Sequence, residues 1–254
     1  MMSQLVRYAP VISLIEEGRP RRILEIGPGS QGLGKFLARR FVGAETDFSD
    51  YTGAARRPSA WMLAVRADGA ALPFAADSFD LVLMIDVLEH VAPVARAAIV
   101  RECVRVARRT VAIGFPAGGA AETHDREHDR WLTARGLPRP GWLAEHLAHP
   151  FPSEGEISRS LDGARVAILA NAWLPAHRFF MRWEARARGA RYSSLLSDLL
   201  APTEWDRRGH RPSTNALRVI ARPLTPLLGL LDRAPAYRTL IVVEKERARE
   251  AHPC

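Results

Sequence analysis

Three glycines follow an apolar run in ILEIGPGSQG, where Gly27-Pro-Gly29-Ser-Gln-Gly32 has the form G-x-G-x-x-G. Glycine tolerates positive φ and lets a backbone approach a ligand closely, so such a loop between a strand and a helix can cradle one. Glu45 and Asp47 lie 18 and 20 residues beyond Gly27, at the end of the next apolar run, where a carboxylate can chelate ribose hydroxyls. These parts suit a nicotinamide dinucleotide as well as another nucleoside ligand, and a tight strand-to-helix turn is the competing explanation of the glycines.

Three further positions narrow the chemistry. Glu25 precedes the glycines by two residues; its carboxylate is unfavourable beside a pyrophosphate and well suited to a ligand carrying an ammonium. Asp68 opens DGAALPF after the third apolar run and can accept a hydrogen bond from an adenine amino group. SFDLVLMIDVLEH sets Asp86, Glu89 and His90 just past the fourth run, at the carboxyl edge where open α/β sheets bind ligands. His90 is the nearest candidate general base, required only if the acceptor has a proton to lose; the competing reading is a histidine that buttresses the loop.

In THDREHDRW, His124 and His128 are four residues apart and share a helix face. Asp125, Glu127 and Asp129 are scattered around that helix, so no metal site is assigned there. His124, His128 and the pair Glu145–His146 are candidates for acceptor binding or base catalysis in a segment overhanging the site.

The elements that must position these groups are strands alternating with helices. After an amphipathic lead-in helix over 2–17, strands are expected at 21–26, 41–46, 61–66, 79–85 and 110–115, with helices over 33–40 and 94–107. Such alternation predicts an α/β fold with a doubly wound, mostly parallel sheet. A sixth strand is expected at 165–170, and YRTLIVVE (237–244) reads as a closing strand. One domain over 1–254 is expected: a cofactor half (1–116), helical insertions over the C-terminal edge of the sheet (117–235), and the closing strand (236–246).

Residues 21–116 resemble the class I methyltransferases, in the type 11-like branch. Four signatures carry the resemblance in order: E-x-G-x-G at Glu25–Gly29, D-x-x-x-L-P-F at Asp68–Phe74, S-F-D at Ser78–Asp80 and D-V-L-E-H at Asp86–His90. The resemblance implies a seven-stranded Rossmann-like sheet, its last strand antiparallel, and S-adenosylmethionine lying across strands one to four. It implies that Glu25, Gly27 and Gly29 line the methionine moiety, and that Glu45, in a G-x-[DE] pattern after Gly43, binds the ribose, with Asp47 as the fallback. Asp68 and the backbone of Gly69 would meet adenine, and Asp86 the reacting methyl end. Gln31 departs from the usual G-x-G-x-G by adding a residue before Gly32. The implied activity is methyl transfer by in-line displacement to a small-molecule, lipid or glycan acceptor. An RNA methyltransferase, a non-catalytic adenosyl-binding protein and an NAD-dependent oxidoreductase are the alternatives; Glu25 and the D-V-L-E-H signature speak against the last.

Composition sets the outer bounds. The 254 residues are 47% hydrophobic, enough to bury a large core and to exclude global disorder. The net charge of +8 comes almost wholly from arginine, since Lys35 and Lys245 are the only lysines among 36 basic residues. The arginines are dispersed and not interleaved with aromatics, which argues against a nucleic-acid partner. The basic helices expected within 177–222 offer a peripheral membrane contact, with Phe179, Phe180 and Trp183 beside Arg178 and Arg182. Two cysteines, no signal-peptide pattern and no long apolar run predict a cytoplasmic protein, at most membrane-peripheral. The sequence carries no sign of oligomeric state.

Overall fold

A computed structural model of the chain describes residues 2–29, 32–46, 61–161, 165–188 and 223–245. Seven strands form one sheet: β1 (Ile23–Ile26), β2 (Phe41–Glu45), β3 (Met62–Arg66), β4 (Phe79–Ile85), β5 (Ala107–Pro116), β6 (Arg165–Trp173) and β7 (Ala236–Glu244). Their order is β3-β2-β1-β4-β5-β7-β6. The first five strands are parallel, and β7 runs antiparallel to both β5 and β6. The expected α/β class and mostly parallel seven-stranded sheet are therefore present. The order reverses beside β1 and β4, the crevice position at which open α/β sheets bind ligands.

One face of the sheet is covered by the lead-in helix α1 (Met2–Gly18), whose Leu5, Val11, Ile12 and Ile15 are almost completely buried against it. Those positions follow the spacing of a helix with one apolar face. Pro10 sits inside α1 and has no N–H to donate to the Val6 carbonyl four residues earlier. The Asn171 side-chain amide, from β6, donates to that carbonyl instead at 3.2 Å. The opposite face is covered by α2 (Pro93–Val106), which buries Ile99, Val100, Cys103 and Val106. Burial pushes the Cys103 thiol up to about 12, leaving it an inert core group.

After β5 the chain forms α3 (Gly118–Thr133), α4 (Gly141–His146) and α5 (Glu154–Ser158). Helix α6 (Leu174–Arg188) follows β6, and a short helix over 223–228 leads into a 3-10 turn (Gly229–Leu231). Two expectations are corrected. The helix expected over 33–40 is one 3-10 turn, Gly32–Lys35, because Gly32 and Gly34 are weak helix formers and Leu33 and Phe36 are drawn into the core. Strand β6 extends to Trp173 rather than ending at Ala170, since its last residues pair with the start of β7. No described helix is long and apolar enough to cross a membrane. Asp47 and the basic helix expected over 207–222 lie outside the described residues.

Candidate active site

The carboxyl ends of β1 and β4 come together through the two loops that follow them. Gly27, Gly29 and Gly32 all hold positive φ, a region that costs other residues a steric penalty. At Gly27 a Cβ would lie 2.4 Å from Val87 Cγ2, and at Gly32 it would lie 2.3 Å from Glu25 Oε2. The glycines therefore let the first loop fold against the D-V-L-E-H turn and over Glu25.

Glu25 is fully buried. Its Oε1 accepts from the Tyr8 hydroxyl at 2.6 Å and its Oε2 from the Leu33 N–H at 2.7 Å. Burial outweighs those bonds and raises its pKa to about 7. In this state the carboxylate ties α1 to the glycine loop rather than facing the cavity. That cavity, of about 300 Å³, is lined by Arg7, Tyr8, Gly27, Gly29, Lys35 and Asp86, among others.

Asp86 stands at a strained turn with φ of +53°, its N–H donating to the Gly114 carbonyl at 2.8 Å. Its buried carboxylate receives Arg238 Nε at 2.8 and 2.9 Å, Arg238 Nη2 at 2.7 Å and Arg7 Nη2 at 3.0 Å. Burial pulls the Asp86 pKa up, but the two guanidiniums pull it further down, so it stays charged. Arg238 is the one arginine of the apolar strand YRTLIVVE, a charge out of place in a core strand, and that was the signal available in sequence. Arg7 lies on the lead-in helix and gave none.

A second cavity, of about 290 Å³, shares Gln4, Arg7 and Asp86 with the first. Its other walls include His90, Trp142, His146, His177, Tyr237 and Arg238. A ligand in one space would thus meet a ligand in the other across Asp86. His90 lines this chamber, with Nδ1 2.6 Å from Glu145 Oε2. Burial and His146 together lower its pKa, so the ring is neutral near pH 7.

His124 and His128 do not line it. Both are buried in α3, with rings 6.0 Å apart. His124 Nδ1 lies 3.0 Å from Asp125 Oδ1, and Asp125 Oδ2 lies 2.8 Å from His146 Nδ1. The Tyr237 hydroxyl donates to the same carboxylate at 2.8 Å. Burial would raise the Asp125 pKa, but the hydrogen bonds from His124 and His146 hold it down to about 2. Asp125 is the hub that the THDREHDRW motif contributes, by fixing the chamber residues His146 and Tyr237. Burial lowers the His128 pKa to about 4, leaving it uncharged.

Of the remaining candidates, Glu45 is half-buried at the end of β2 and accepts from the Thr46 N–H at 3.2 Å. Asp68 is exposed and its Oδ1 accepts from the Ala70 N–H at 2.8 Å, closing a turn whose second residue is Gly69. Buried Arg96 braces the D-V-L-E-H turn: its Nε donates to the carbonyls of Leu88 and Val91 at 3.0 and 3.1 Å, and its Nη2 to Pro150 at 2.6 Å. On α6, Phe179 and Trp183 face outward, whereas Arg182 and Arg186 lie over the Trp131 ring at 5.5 and 5.3 Å.

The features that fit S-adenosylmethionine are the cavity lined by Gly27, Gly29 and Gly32 and a wall that pairs cations (Arg7, Lys35) with a fixed carboxylate (Asp86). A zwitterionic amino-acid moiety needs both signs of charge. Residues 24–113 match the sequence profile of the family described as Methyltransferase domain, of type 11. No curated protein matches the sequence. Among solved structures, a methyltransferase from Galdieria sulphuraria superposes with a TM-score of 0.51 at 12% identity, covering 96% of this chain and 86% of its own. The phosphoethanolamine N-methyltransferase 2 of Haemonchus contortus gives 0.50 at 11% identity over 94% of this chain and 53% of its own. A SAM-dependent methyltransferase from Archaeoglobus fulgidus gives 0.48 at 14%, covering 95% and 92%. Residues 24–113 thus carry a methyltransferase domain of the type 11 family, on a sheet of Rossmann-like order.

Proposed function

We propose that the enzyme transfers a methyl group to a small polar acceptor bearing a carboxylate or phosphate, free or as a lipid headgroup, seated in the second cavity. The observation that carries this reading is a pair of unanswered donors. Arg7 Nε and Arg238 Nη1 are buried and make no hydrogen bond, although both side chains line that cavity. Buried guanidinium N–H groups without acceptors are costly, and an anionic oxygen answers them.

When bound, the cofactor supplies a methyl group already activated on a positively charged sulfur. The protein's task is then alignment and the exclusion of water. Gly27, Gly29, Arg7, Lys35 and Asp86 would hold the methionine end, with Glu45, Asp68 and Gly69 toward ribose and adenine. Asp86, clamped by two arginines, fixes the boundary between the two spaces. Helix α1 covers both of them through Gln4 and Arg7. His90 is one of the imidazoles that would face the acceptor, and His124 acts only through Asp125. The outward Phe179 and Trp183 are where a membrane-held acceptor would approach.

The test is release of S-adenosylhomocysteine with acceptor pools sorted by charge, each offered in solution and on vesicles. Turnover confined to carboxylate- or phosphate-bearing acceptors supports the reading. Turnover confined to neutral or cationic acceptors overturns it.

A further inference from the structure

Behind the acceptor chamber sits a carboxylate with no donor. Glu89 is fully buried, yet neither of its carboxylate oxygens accepts a hydrogen bond. An isolated carboxylate in such a place is strongly disfavoured unless something positive is near. Two imidazoles stand beside it. His146 Nε2 lies 3.7 Å from Glu89 Oε1, and the His90 ring centroid is 4.8 Å from that of His146. One ligand atom from each of Glu89, His90 and His146 falls within 4.8 Å of the others.

We propose that Glu89, His90 and His146 bind one divalent transition-metal ion that opens onto the acceptor chamber. Two imidazoles and one carboxylate are the donor set of ions such as zinc, with the remaining positions left to water or substrate. The surroundings supply the outer groups that ligating histidines require. His146 Nδ1 is held by Asp125 at 2.8 Å, which leaves Nε2 as the free lone pair toward Glu89. His90 Nδ1 is held by Glu145 at 2.6 Å. A tetrahedral ion with bonds of about 2.0–2.1 Å holds its ligands roughly 3.3 Å apart. The three groups close modestly around it, and exposed His90 has the room to move.

His90 and His146 line the chamber, so the open positions of the ion face the acceptor. The ion would bind an acceptor oxygen and hold it opposite Asp86. This step rests on the proposed acceptor reading, whereas binding of the ion itself does not.

The experiment is equilibrium dialysis of untagged, chelator-treated full-length protein against Zn2+, with Co2+ absorption as a second readout, both without cofactor or acceptor. One equivalent per chain is expected, with the intense visible bands of a low-symmetry Co2+ site. Glu89→Gln and His146→Gln should each weaken binding at least tenfold. Asp125→Asn, through loss of the group that orients His146, should weaken it about 10- to 100-fold. His128→Gln, in the same helical layer but outside the group, should leave binding unchanged. Melting curves identify any variant that fails to fold, and His90→Gln then takes its place. No stoichiometric binding, or binding unchanged by Glu89→Gln and His146→Gln, overturns the proposal. Metal binding with no turnover on anionic acceptors would remove the acceptor reading and leave the metal site standing.

Discussion

The Tyr8 hydroxyl donates to Glu25 Oε1 at 2.6 Å, so the helix that covers the site is fastened to the carboxylate at the end of the strand that builds it. Burial, stronger than the hydrogen bonds from Tyr8 and Leu33, raises the Glu25 pKa from 4.5 to about 7. The folded protein then holds a proton that the unfolded chain has released between those values. The stability that Glu25 contributes is fully present below about pH 4.5 and is lost as pH rises to about 7, about 3 kcal/mol at 1.36 kcal/mol per pH unit. Glu25→Gln should remove this contribution. Urea unfolding of both proteins at pH 5 and pH 8 measures it; an unchanged difference between the two pH values in the variant would contradict it.

Gly27→Ala should be severe for two separate reasons. The residue holds φ of +65°, and its new Cβ would meet Val87 Cγ2 at 2.4 Å. A loss of about 1–3 kcal/mol in stability is expected, together with weakened cofactor binding. Val87→Ala in the same chain should return part of the loss by removing the clash, but not the part due to φ. Full recovery in the double variant would show that backbone conformation plays no role.

Asp86 has two cationic partners of unequal burial, and their removal should not cost the same. Arg238 is 4% exposed and Arg7 24%. Breaking a buried pair typically costs about 3–5 kcal/mol, and a partly exposed one about 1 kcal/mol or less. Arg238→Met should therefore destabilise the fold far more than Arg7→Met in denaturant titrations. Equal losses would mean that the two arginines share the charge evenly.

The Asn171 amide stands in for the N–H that Pro10 lacks. Asn171→Ala should cost about 1–3 kcal/mol by leaving the buried Val6 carbonyl unanswered. In a Pro10→Ala background the helix supplies its own donor, so the same substitution should cost clearly less. A double-mutant cycle reads the difference; strict additivity would refute the compensation.

Much of the fold was legible because strand β4 and helix α2 carry strong local patterns, and β4 was delimited to the residue at Phe79–Ile85. The helix after Gly32 was misjudged because the apolar spacing of Leu33, Phe36 and Leu37 is helical even though the glycines stop the helix after one turn. In the site, the glycine loop and the D-V-L-E-H turn announced themselves by composition. The clamp on Asp86 did not, since Arg7 and Arg238 reach it from opposite ends of the chain. His124 drew attention as a reactive group, yet the same helix offers Asp125 as a buried anchor, and only tertiary packing shows that His146 and Tyr237 converge on it.

The most direct measurement is calorimetric titration of the protein with S-adenosylmethionine, S-adenosylhomocysteine and NAD in parallel. Both adenosyl compounds should bind, NAD should not, and Asp68→Ala should weaken the binding. Tight NAD binding without adenosyl binding would contradict this expectation.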